Sequence, residues 1–68
     1  MPVTKVIEVI GTSSTGSDDA VREAVAAASR SIRGISRVDV ESVTCDVEKD
    51  GIVRWHAAVK ISFPVEPR

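Results

Sequence analysis

Few residues of this chain could do chemistry: one histidine, His56, one cysteine, Cys45, and the strand carboxylates Asp39, Glu41, Asp46 and Glu48. A single histidine and no C-x-x-C remove the common zinc patterns. The four carboxylates offer enough oxygen ligands for calcium if symmetry brings copies together, although no EF-hand spacing is present. Ordinary surface composition favours reading them instead as a solvated, charged strand face. Counting back from a two-residue Asp50-Gly51 turn puts Cys45 opposite His56, where a thiolate–imidazole pair is geometrically conceivable. With no second histidine and no triad order, the chain does not read as an enzyme. Gly11-Thr12-Ser13-Ser14-Thr15-Gly16 is rich in glycine and hydroxyls, but it lacks the lysine and spacing of a P-loop. It reads as a connecting loop, the alternative being backbone N–H groups offered to a ligand phosphate ahead of a helix.

Around these residues the pattern predicts four elements. Val3 to Ile10 is a β-branched run, apolar on both faces, and reads as a first strand. Ser17 suits an N-cap and Asp18 and Asp19 suit a first helical turn, so a helix is predicted from Asp18 to about Arg33, ended by Gly34 at C′. Its apolar stripe is Val21, Ala24, Val25, Ala28 and Ile32. The alanines at its centre allow a close approach to a sheet, and Arg30 and Arg33 read as charges near the helix end. Val38 to Phe63 then reads as two strands about the turn Glu48-Lys49-Asp50-Gly51, with Lys49 opposite Ile52.

Within that hairpin Val38 and Val40 fall opposite Phe63 and Ile61, but beyond Ser42 the apolar phase slips by one. Val43, Cys45 and Val47 then share a side with Arg54 and His56. A bulge near Ser42 would explain this; the alternative, preferred on length, is that the hairpin tip is covered on its second face. A helix of this length spans about 24 Å, whereas each hairpin strand spans about 40 Å. The uncovered tip carries Val43, Cys45, Val47, Val53 and Trp55, too much apolar surface to leave wet. The fold class is therefore α+β, a βαββ protomer with one domain over residues 1–68, in an obligate oligomer.

Composition points the same way. At 68 residues, with only Trp55 and Phe63 aromatic, the core is thin. Such small domains usually need disulfides, a metal or a partner, and one cysteine leaves no intrachain disulfide. A net charge of -1 with mixed signs argues against nucleic acid, which needs a basic stripe. No apolar run approaches a membrane span and the N-terminus does not resemble a signal peptide, so the expected setting is the cytoplasm.

The opening Lys5-Val6-Ile7-Glu8-Val9-Ile10-Gly11-Thr12-Ser13, the helix with Ala20, Ala24 and Ala28, and Glu48-Lys49-Asp50-Gly51 followed by Val59-Lys60-Ile61-Ser62-Phe63 resemble the dodecins over nearly the whole chain. The resemblance implies a three-stranded antiparallel sheet partly wrapped around one helix, twelve copies in a hollow homo-dodecameric shell, and storage of flavin, FMN or riboflavin, rather than catalysis. Two positions depart from the family. Arg37 stands where flavin-binding dodecins stack a tryptophan on the ring, and His56 where they pair a glutamine with its edge. Trp55 matches an aromatic position before that glutamine and is expected to be a packing residue. A guanidinium can stack on a π-system and attract a phosphate, and His56 can hydrogen-bond through either nitrogen. The implied site is thus a weakened one that favours FMN. The alternative is a shell that has given up flavin, binding divalent cations such as calcium or serving only as a structural assembly.

Overall fold

The computed structural model of the protein describes residues 3–65. It contains β1 (Val3–Ser13), α1 (Ser17–Ser29), β2 (Arg37–Glu48) and β3 (Gly51–Val65) in the order expected for βαββ. The strands form one antiparallel sheet in the order β1-β3-β2, so the longest strand is central and the other two are edges. Its odd-numbered residues Ala57, Val59 and Ile61 are buried beneath the helix, and Ala20, Ala24 and Ala28 meet them from above. Spacing of four places the alanines on one ridge of the helix. Ile7, Val9, Val21, Ile32, Ile35, Val38 and Trp55 pack around this core, and among the described residues only Ile61 and Val59 are large and fully buried. Each contributes about 1.5–3 kcal/mol of hydrophobic burial, so the protomer's own core is small.

The helix lies close because of one residue in β1. A Cβ added to Gly11 would run into the backbone carbonyl of Ala20 and come within 2.9 Å of the Ala24 Cβ. Gly11 therefore belongs to a strand passing under the helix, and β1 continues to Ser13 instead of giving way to a loop after Ile10. The remaining connection is short and internally bonded. The Ser13 hydroxyl accepts from the backbone N–H of Thr15 at 3.0 Å and donates to the Asp19 carboxylate at 2.7 Å, and the Thr15 hydroxyl donates to the same carboxylate at 3.2 Å. With the Thr15 N–H already spent and an acidic side chain beside the helix start, no phosphate cradle is formed there. Ser17 lies inside the helix, which is preceded by Gly16 without a side-chain cap.

The helix stops at Ser29, four residues short of Arg33, and no basic residue occupies its last turn. Arg30 is the C-cap residue, at the negative end of the helix as expected, whereas Arg33 lies beyond the helix. Past Ser29 the backbone N–H groups of Ser31 and Ile32 both donate to the Ala28 carbonyl, and Ile32 and Ile35 pack against the core from outside the helix. Gly34, at φ 75, then turns the chain toward β2, whose approach is pinned by the Ser36 N–H donating to the Ser62 carbonyl at 2.9 Å. Gly34 does occupy the left-handed region, but beyond a nonhelical turn rather than at C′.

Hairpin register departs from the sequence reading in three linked ways. Glu48 pairs with Gly51, so Lys49 and Asp50, at φ 51 and 66, are the turn residues instead of Asp50 and Gly51. The register then shifts between Asp46 and Val47, where Val53 is the extra residue of β3, and again between Val40 and Ser42, where Glu41 is extra in β2. The Glu41 bulge returns Val43 and Cys45 to the side of Val38 and Val40. Hence the apolar phase slip reflects a bulge, and the sheet keeps one buried face throughout. Apolar matching along a whole strand outweighs a local turn preference, because a slip of one residue would turn every side chain over.

The overhang is present and larger than expected from a longer helix. The protomer measures 54 × 20 × 12 Å with a radius of gyration of 14.1 Å, against about 11 Å for a compact chain of this length. Beyond the helix, Val43, Val47 and Ile52 remain 45%, 62% and 50% exposed. Gly11→Ala is expected to destabilise the protein by about 1–3 kcal/mol or more, since the obstacle is helix backbone and cannot rotate away. Urea denaturation of the variant beside the native protein measures it.

Candidate functional site

The face of the sheet turned away from the helix carries the even-numbered residues of β1 and β3, and the chemistry lies there. Alternation along β3 sends Arg54, His56, Ala58 and Lys60 to this face, and pairing brings Thr12, Ile10 and Glu8 from β1 and Thr44 from β2 alongside. His56 sits at the centre of the sheet with partners on both edge strands. Its Nε2 is 2.9 Å from an Asp46 carboxylate oxygen in β2, and its Nδ1 is 3.1 Å from the Thr12 hydroxyl in β1. An ionised carboxylate can only accept, so Nε2 carries the proton and, in the neutral ring, Thr12 donates to Nδ1. The Arg54 guanidinium donates to the same Asp46 oxygen at 3.1 Å. One imidazole thereby clasps all three strands, and neither nitrogen is left as a general base for an outside proton.

The hydrogen bond from His56, with the Arg54 charge adding to it, holds the Asp46 carboxyl below the usual carboxylate range. Neighbouring ion pairs are looser. The Arg37 Nε donates to Asp39 at 3.3 Å, and Lys60 lies 3.9 Å from both Glu8 and Glu41. Such exposed pairs contribute at most about 1 kcal/mol each.

Arg37 opens β2 opposite Ser62, on the same face as His56, and its side chain is 74% exposed. Six residues of β3 separate Ser62 from His56, roughly 20 Å at the rise of a strand. One protomer therefore does not bring Arg37 and His56 together. Trp55 points to the helix side, where it packs against the core. Cys45 is opposite Trp55 instead of His56. The thiolate–imidazole pair is excluded, because the turn and the Val53 bulge place the thiol on the other face. Of the carboxylates, Asp39, Glu41 and Asp46 each have a basic neighbour, and among the described residues no three metal-ligating side chains converge. Thr12 and Arg54 were missed by sequence reasoning. Thr12 fell in a supposed loop, and Arg54 reads as a plain surface charge until Asp46 is known to be its cross-strand partner.

Residues 3–66 match the dodecin family. The chain belongs to that family. Among solved structures it is similar to a dodecin from Streptomyces coelicolor, with 34% identity over 98% of this chain and 96% of that one, at a TM-score of 0.93. A Thermus thermophilus protein superposes over the full length of both chains at a TM-score of 0.95, and at 24% identity this speaks to the fold alone. A calcium-chelating antigen of Mycobacterium tuberculosis, a calcium dodecin, is 34% identical over 96% of this chain and 93% of that one, at a TM-score of 0.82. No curated protein matches the chain. Dodecins are small binding proteins that assemble as homo-oligomers, and among the described residues of this dodecin no helix is long and apolar enough to cross a membrane.

Two outcomes follow from this geometry. Because the folded pKa of Asp46 is depressed, the clasp's stabilisation is present above the unfolded carboxylate pKa and is lost as pH falls through the lower folded value. Asp46→Asn is therefore expected to be less stable than the native protein at neutral pH, with the gap closing in acid, as read by denaturant midpoints across the pH range. Trp55→Ala removes a partly buried aromatic and is expected to cost about 3 kcal/mol, seen as a lowered thermal midpoint. An unchanged midpoint with weakened ligand binding would instead make Trp55 a ligand platform.

Proposed function

We propose that this dodecin is a cytoplasmic homo-dodecameric shell that binds flavin, FMN in preference to riboflavin, and stores or sequesters it without catalysis. The observation that carries the reading is the separation of Arg37 from His56. Both face the same side of the sheet, too far apart to meet on one protomer, so a ligand touching both must lie between copies. The exposed tip supports assembly, since Val43, Val47 and Ile52 are left uncovered by their own helix.

Arg37 fits the role of ligand contact. Among the described residues only its Nε is engaged, on Asp39, which leaves the terminal guanidinium nitrogens for a phosphate and the planar group for the ring. Flavin, when bound, supplies the redox-active ring; the chain holds it and limits its exposure. Losing a stacked aromatic weakens such a site by about 1–3 kcal/mol.

Calcium is the second reading, favoured by the 34% identical calcium-chelating relative. Against it, Asp39, Glu41 and Asp46 are each already paired with a basic group.

One preparation tests both. Twelve copies of 7.3 kDa should sediment together at about 88 kDa, and fluorescence titration should show FMN binding more tightly than riboflavin. Arg37→Trp should tighten riboflavin about tenfold, the equivalent of 1.4 kcal/mol, and quench it. A folded monomer overturns the shell. Calcium binding with no flavin binding by either protein exchanges the first reading for the second.

A further inference from the structure

We infer that Thr12 and Asp46 are specificity-determining positioning residues: by filling both nitrogens of His56 they withhold it from the hydrogen-bonding edge of a ring ligand. The inference rests on the proposed flavin site and concerns how that site reads its ligand. The imidazole has two polar positions, and both are closed within the protomer, Nε2 by Asp46 at 2.9 Å and Nδ1 by Thr12 at 3.1 Å. Asp46 is itself held from a second side by Arg54 at 3.1 Å. A ligand could use a His56 nitrogen only by displacing one of these partners, at the loss of a bond already made. What the ring still presents is its faces and C–H edges, which any aromatic surface can meet without regard to donors and acceptors. The pyrimidine edge of a flavin, an N3–H between two carbonyls, therefore goes unread by His56. Selectivity shifts to the ligand's anionic tail, for which the guanidinium of Arg37 is available.

The clasp also sets the tautomer. With the Nε2 proton directed at Asp46, Nδ1 is an acceptor, and Thr12 is the donor that occupies it. Removing that hydroxyl creates a free acceptor of the kind an N3–H requires. Thr12→Ser keeps the donor.

The experiment compares riboflavin with riboflavin methylated at N3 by fluorescence titration of the assembled protein. The native protein and Thr12→Ser are expected to bind the two alike. Thr12→Val is expected to prefer the unmethylated ligand by about three- to tenfold, the worth of one net hydrogen bond. Because the chain has a single histidine, its ring nitrogens give one unambiguous pair of ¹⁵N signals. These should report an Nε2–H tautomer and stay unmoved when riboflavin is added to the native protein, a readout that does not depend on the variants folding. Discrimination by the native protein, a ligand-dependent shift of the Nδ1 signal, or indifference of a folded Thr12→Val overturns the inference while leaving the flavin site intact. Absence of riboflavin and FMN binding in the native protein overturns the flavin reading, and this inference with it.

Discussion

The contact between Gly11 and the alanine ridge of the helix is the constraint on which the rest of the protomer depends. No side chain fits between β1 and the Ala20 carbonyl, so the helix is drawn down until Ala20, Ala24 and Ala28 touch the sheet. Close approach lets small residues exclude water with few large side chains. It also limits the core to one narrow strip along the middle of β3.

That narrowness has consequences for assembly. A thirteen-residue helix covers about 20 Å of strand, while the protomer extends 54 Å. The apolar residues beyond it are not errors of patterning, because the Glu41 bulge turns Val43 and Cys45 onto the same face as the core. They prolong a buried surface past the element that buries it. The protomer has the shape of a part, and both its stability and any site spanning Arg37 and His56 call for neighbouring copies.

The opposite face works by a different physics. There the apolar residues are sparse, and the three strands are tied by a polar chain running from Thr12 through His56 to Asp46 and Arg54. A bonded imidazole in this position braces the sheet and at the same time ceases to be a free donor or acceptor. Structural and recognition roles of His56 thus compete for the same two nitrogens.

Much of this was legible in the amino-acid sequence, because hydrophobic periodicity is local. Alternation in Val53 to Phe63 specified the central strand, the alanines marked the helix face, and an overhang followed from comparing lengths; the family resemblance named Arg37 and His56 as the positions of interest. What the sequence could not decide was set by long-range pairing. The turn at Lys49-Asp50 and the Val53 bulge together move Cys45 from His56 to Trp55, an outcome that depends on packing along the whole hairpin and that no dipeptide preference encodes. The helix ends at Ser29 although the helical pattern continues in the sequence, and Ile32 and Ile35 reach the core from outside it. Thr12 and Asp46, separated in the chain, become partners of one imidazole only when β3 lies between β1 and β2 in this register, since strand order and register together determine which polar groups share a face.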